Sequence, residues 1–179
     1  MICRCNRNNK GTKYRKTILL LTEELLQDIR NCGYIQSTAV KSEDPADKDV
    51  LTDVVELNNL EAATRNIDYA VGELATSLYP YSCGWKKSTN SVLTDAYHEK
   101  DSYVIALEFE RNIPEQALAH LRTLCHEFVV AMAMYRYTVL AMPDASIVWR
   151  NNVDELTRQL LDTVKIGQKP LLRKLYPFC

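Results

Sequence analysis

Apolar residues recur at steps of three and four through most of this chain, and one segment alternates at period two instead. Leu60, Ala63, Ile67, Ala70, Val71, Leu74 and Leu78 form one helical stripe, which predicts a long helix over 51–79 ended by Pro80. Leu118, Leu121, Leu124, Cys125, Phe128, Val129, Met132 and Tyr135 keep the same spacing. They predict a helix opened by Pro114-Glu115 and running to about Ala141, with Pro114 read as a first-turn residue. Its stretch from Val129 to Leu140 is apolar on nearly all sides, as a central core helix would be. Pro143-Asp144 breaks it and starts a further helix over 144–164, with a face built from Ile147, Val148, Val153, Leu156, Leu160, Leu161 and Val164. Gly167 and Pro170 close that region.

Nearer the start, Thr22 followed by Glu23 and Glu24 is a helix-opening pattern. Leu25, Leu26, Ile29 and Cys32 supply its apolar face, and Gly33 reads as its stop. Residues 37–49 read as a polar loop. The period-two segment is Tyr103–Phe109: Tyr103, Ile105, Leu107 and Phe109 alternate with Val104, Ala106 and Glu108, which predicts a strand. Ser91–Tyr97 is the expected hairpin partner, and such a hairpin must lie on the helices or on a neighbouring subunit to be stable. The fold class expected is mainly α: a bundle of about four helices, one small β-hairpin, and extended arms at both ends. The domain limits are 1–16 for a basic N-terminal arm, 17–165 for the helical domain with its hairpin at about 91–109, and 166–179 for a C-terminal arm.

Composition changes this picture little. The 179 residues suffice for one core, and the low glycine and proline content, 5 and 6, favours helices over a loop-rich β fold. No apolar run reaches the roughly 18 residues that a membrane span needs. Six cysteines, at 3, 5, 32, 83, 125 and 179, form no Cys-x-x-Cys pair and read as free thiols in a cytoplasm-like setting.

Charge changes it more. The net charge of −1 conceals a segregation. Residues 1–16 hold Arg4, Arg7, Lys10, Lys13, Arg15 and Lys16 without an acid, and residues 165–179 hold Lys165, Lys169, Arg173 and Lys174 without an acid. The other 12 of the 22 basic residues face all 23 acidic ones. An acidic body between two basic ends points to partners with negative surface. The two ends differ in kind. Leu171, Leu172, Leu175, Tyr176 and Phe178 interleave with Arg173 and Lys174, a composition suited to docking in a partner's groove. The N-terminal end is polar and suits an acidic surface, a subunit neighbour or a nucleic-acid backbone.

No assembled catalytic set is legible, and the chain reads as a non-enzyme that needs no metal or cofactor. The residues three before His98, His120 and His126 are Asp95, Ala117 and Thr123, so the Glu-x-x-His pairs of a di-iron bundle are missing. Cys125 and His126 are adjacent on a helix and diverge by about 100°, and Cys125 falls on the apolar stripe, where cysteine acts as a small hydrophobe. The break at Ala141-Met142-Pro143 could be mistaken for a helix-turn-helix. The helix after it carries Asp144, Asp154, Glu155 and Asp162, which does not suit a groove-reading helix.

The order of these segments carries a resemblance. A Thr-Glu-Glu-Leu-Leu-Gln-Asp-Ile-Arg helix, a long helix, and the strand Tyr-Val-Ile-Ala-Leu-Glu-Phe come first. Ile-Pro-Glu-Gln-Ala-Leu-Ala-His-Leu, Met-Tyr-Arg-Tyr-Thr-Val-Leu and Pro-Asp-Ala-Ser-Ile follow. Over about 17–165 this resembles small virion proteins of tailed phages and prophages of Bacteroides-type gut bacteria, and more loosely head–tail connector (adaptor) proteins. The resemblance implies a structural protein made in the bacterial host cytoplasm and built into the virion neck. It would be a homo-oligomeric ring, commonly of twelve copies, that joins the portal protein to tail or other neck proteins around the DNA channel. The C-terminal arm would reach into the portal, and packaged DNA would meet the protein without sequence preference. The basic N-terminal arm departs from that pattern. The alternative is a nucleic-acid-binding helical module acting through its basic arms.

Overall fold

A computed structural model describes residues 13–39, 60–81 and 102–168. In chain order it contains β1 (Tyr14–Leu21), α1 (Thr22–Ala39), α2 (Leu60–Leu78), a 3-10 turn (Tyr79–Tyr81), β2 (Ser102–Phe109), α3 (Glu115–Ala141) and α4 (Pro143–Ile166). The architecture is mainly helical, four helices with one two-stranded antiparallel sheet, as the sequence predicts.

The period-two segment forms β2, with Tyr103, Ile105, Leu107 and Phe109 all buried. The expected partner, 91–97, lies outside the described residues, and one strand among those described pairs with β2. It is β1, paired from Tyr14↔Phe109 to Leu21↔Ser102. The last residues of the supposed N-terminal arm, Tyr14, Arg15 and Lys16, are therefore part of a strand, not of a free extension. Ile18 and Leu20 sit opposite Ile105 and Tyr103 and bury with them. A two-stranded sheet is marginal by itself in water; this one lays its apolar face on the helices and joins their core.

Helix α1 opens at Thr22 with Glu23 and Glu24 in its first turn, where carboxylates complement the helix dipole. It does not stop at Gly33 but continues to Ala39, through residues expected to start the polar loop. A glycine inside a helix costs about 1 kcal/mol relative to alanine, less than packing of an amphipathic face returns. Gly33 is buried here, and beyond it Gln36 accepts a 2.7 Å hydrogen bond from the Trp149 indole of α4. Helix α2 is described from Leu60, residues 51–59 falling outside the described range, and it ends as predicted just before Pro80, in a 3-10 turn.

Helix α3 is central: it packs against α1, α2, α4 and β1. Pro114 stands one position earlier than predicted, at the N-cap, with helix beginning at Glu115. At the other end one residue, Met142, is both the C-cap of α3 and the N-cap of α4. Its N–H donates to Thr138 O at 2.7 Å, and its carbonyl accepts from Ser146 N at 3.0 Å. Pro143, at the first helical position, needs no N–H partner there. Because Met142 joins one pair of ends and Arg111 N bonds Gly167 O at the other, α3 and α4 run antiparallel.

Helix α4 spans Pro143–Ile166, slightly longer than expected, and one expectation about its face is wrong. Ser146, Val153, Leu156, Leu160, Thr163 and Val164 are buried, while Ile147 and Val148 point outwards, 59% and 67% exposed. The buried positions repeat at 146, 153 and 160, a seven-residue step along one seam, and 147 and 148 fall off that seam. Gly167 then passes against the Phe109 ring so closely that any Cβ there would overlap it. This close approach, with Gln168 Nε2 donating to Glu108 O at 3.4 Å, holds the end of α4 on the end of β2.

Candidate interaction surfaces

Three surface features stand out. The first lies between α1 and α3, which run parallel: Glu24 faces Arg122 at 3.7 Å and, one turn further on both helices, Asp28 faces His126 at 2.8 Å. Around these rungs an open groove of about 890 Å³ is lined by Glu23, Gln27, Thr123 and Glu127 among others. It carries more acid than base. Sequence reasoning placed His126 on a helix but could not pair it with Asp28, because the register between two parallel helices is set by tertiary packing. His120, as expected, points elsewhere and is exposed; His98 lies outside the described residues.

The second feature is the α2–α3 seam within the Tyr-Arg-Tyr stretch. Arg136 stacks on the Tyr69 ring, 3.9 Å from its centroid, while its Nε donates to Asn66 Oδ1 at 3.0 Å. The neighbouring Tyr137 hydroxyl is buried, and burial pushes its pKa up against a smaller lowering by Asn66. One helical turn beyond Asn66 and Tyr69 in α2, Glu73 raises the Tyr69 pKa by accepting from its hydroxyl. These contacts fix the helices against each other.

The third is the end of the bundle at the Met142 junction. Val139 at the end of α3 and Ile147 and Val148 at the start of α4 are exposed there. So are Tyr34 and Ile35 near the end of α1, which the Gln36–Trp149 bond brings to the same end. These are five of the eleven large hydrophobic residues exposed among the described residues.

Cys125 is fully buried among the α3 core residues, and burial pushes its thiol up to about 12. Cys32 is half-buried and its pKa is also raised, by burial first and by Asp28 second. Neither thiol is activated. Among the described residues no group of three or more His, Cys, Asp or Glu side chains could hold a metal ion, and no helix is long and apolar enough to cross a membrane.

Of the residues expected to contact partners, Lys13 donates to Glu108 Oε2 at 2.6 Å, and Arg15 and Lys16 belong to β1. Arg4, Arg7 and Lys10 lie outside the described residues. So do the docking residues Leu171, Leu172, Arg173, Lys174, Leu175, Tyr176 and Phe178. At the start of the expected C-terminal arm, Gln168 donates to Glu108 O at 3.4 Å; residues 169–179 lie outside the described residues. No protein-family model, curated protein or solved structure matches this chain.

Proposed function

We propose that this protein is a structural assembly subunit that self-associates through the Met142 end of its bundle. In the narrower form suggested by the resemblance of residues 17–165, its copies close a ring at a phage head–tail junction, between portal and tail or neck proteins. The observation that carries the reading is the apolar cluster of Val139, Ile147, Val148, Tyr34 and Ile35. A helix start that exposes adjacent isoleucine and valine loses the free energy of burying them, about 25 cal/mol per Å² of apolar area. Contiguous exposed apolar patches on otherwise polar surfaces mark interaction sites. A second copy is the occupant this reading commits to. The cluster occupies one end of an elongated helix pair, so its contact with a different surface of the next copy would be heterologous, the kind that closes rings.

Light scattering on the purified chain, followed by electron microscopy of the particles, tests this. The reading expects a multi-copy particle with a closed outline, and expects Ile147→Asp with Val148→Asp to yield monomers of unchanged helix content. A unmodified chain that scatters as a monomer at every concentration would remove it.

A further inference from the structure

The sheet is apolar on both faces. Its inner face carries Ile18, Leu20, Tyr103 and Ile105 into the core. An antiparallel sheet with one face on a core is ordinarily polar on the other, and this one is not. On the outer face Leu19 and Val104 stand directly opposite each other, 42% and 59% exposed, at a separation where cross-strand side chains touch. The pairs on either side, Thr17↔Ala106 and Leu21↔Ser102, are uncharged. The charges of this face are gathered at one end, where Arg15 pairs across the strands with Glu108 and Lys13 donates to the same carboxylate. Two positive charges there meet one negative charge.

We propose that this outer face receives the Met142 end of a neighbouring copy, head to tail. The proposal rests on the self-association inferred above and names its second surface. The two surfaces lie at opposite ends of the molecule. Helix α1 starts at Thr22, where β1 ends, and Glu24 in its first turn faces Arg122 near the start of α3. Met142 lies 20 residues beyond Arg122, about 30 Å of helix. Helix α1 runs the same way, and Gln36 near its far end meets Trp149 of α4. The sheet face and the apolar cluster therefore cannot meet within one chain, and a contact between them joins two copies through unlike surfaces. Their charges are complementary. Asp144, three and four residues before Ile147 and Val148, shares their side of α4 and is exposed, as is Arg15 beside the Leu19–Val104 pair. Neither makes an ion pair among the described residues. The groove between α1 and α3 is a poor alternative receiver. It would bring Asp144 to Glu23 and Glu127 and bury those carboxylates under apolar side chains, which costs their hydration.

The experiment is sedimentation velocity on two variants of the full chain, Leu19→Asp with Val104→Asp and Ile147→Asp with Val148→Asp, each alone and mixed one to one. Each is expected to be monomeric alone, with the far-ultraviolet circular dichroism of the unmodified chain. The mixture is expected to form a dimer of one copy of each and nothing larger. The intact Met142 end of the first variant meets the intact sheet of the second, and neither has a further contact to offer. A mixture that stays monomeric overturns the proposal. A sheet variant that assembles as the unmodified chain does also overturns it, and leaves the Met142 reading standing; an unmodified chain that is monomeric removes that reading and this one together. Aspartate is a poor strand residue and threonine a good one, so Leu19→Thr with Val104→Thr repeats the test without loss of strand propensity. That variant is expected to raise the concentration needed for assembly by about tenfold, and no change in it overturns the proposal.

Discussion

At the scale of single residues the chemistry is quiet and the burial is informative. Cys125 lies in the core with its thiol raised to about 12 by loss of solvent, so it is expected to resist alkylation at pH 8 in the native protein and to react once denaturant opens the bundle. The same shift has a signed consequence for stability. In the unfolded chain the thiol ionises near 9, and between there and about 12 the native state holds the proton that the unfolded state releases. Stability therefore falls as pH rises through that window; denaturant midpoints measured from pH 8 upwards would check it, and Cys125→Ala should flatten that part of the profile. On the surface, Arg158 first and Gln159 second hold the Glu155 carboxyl down to about 2. The interaction is present above the usual carboxylate range and is lost only as pH falls towards 2. Nuclear magnetic resonance titration of Glu155 should find that low value, and Arg158→Gln should return it most of the way to the usual range. Both Cys125 on an apolar stripe and the separation of His120 from His126 were legible from helical spacing alone. The Asp28–His126 and Arg136–Tyr69 pairings were not, since residues 98 and 67 positions apart meet only through the packing of helices.

At the scale of elements, β2 announced itself by alternation and β1 did not. The run Ile18-Leu19-Leu20-Leu21 is continuously apolar, which hides the period-two pattern in which Ile18 and Leu20 turn inwards and Leu19 is exposed. Four charged residues in the preceding stretch of 10–16 further disguise a strand as a tail. If β1 is core, Leu20→Ala should cost about 2–5 kcal/mol in chemical denaturation; a cost near zero would mean that the N-terminal strand does not belong to the fold. The α4–β2 junction makes a second prediction. Gly167 takes an ordinary backbone conformation, φ −80°, so its role is space and not dihedral freedom. Gly167→Ala drives a methyl group into the buried Phe109 ring and should destabilise by about 1–3 kcal/mol, the usual range for overpacking. Phe109→Leu in the same chain should recover part of that loss. The phase of α4 was in principle readable, because the seam at 146, 153 and 160 excludes 147 and 148. The apolar identity of Ile147 and Val148 drew them into the buried face on composition alone.

At the scale of the whole molecule, the bundle has two unlike ends. One carries exposed Val139, Ile147 and Val148 around a one-residue helix junction; at the other, Lys13 and Gln168 meet at Glu108. The sequence made the segregation of charge plain, yet treated the two basic ends as separate. The meeting of Lys13 and Gln168 at Glu108 is a product of the β1–β2 pairing and of the α3–α4 hairpin, neither of which is local. In the function proposed here the Met142 end drives self-association. Sedimentation velocity of the unmodified chain and of the Ile147→Asp, Val148→Asp variant, each over a wide concentration range, tests this most directly. The account predicts a concentration-dependent multi-copy species for the first and a monomer of equal helix content for the second; identical sedimentation of the two would contradict it.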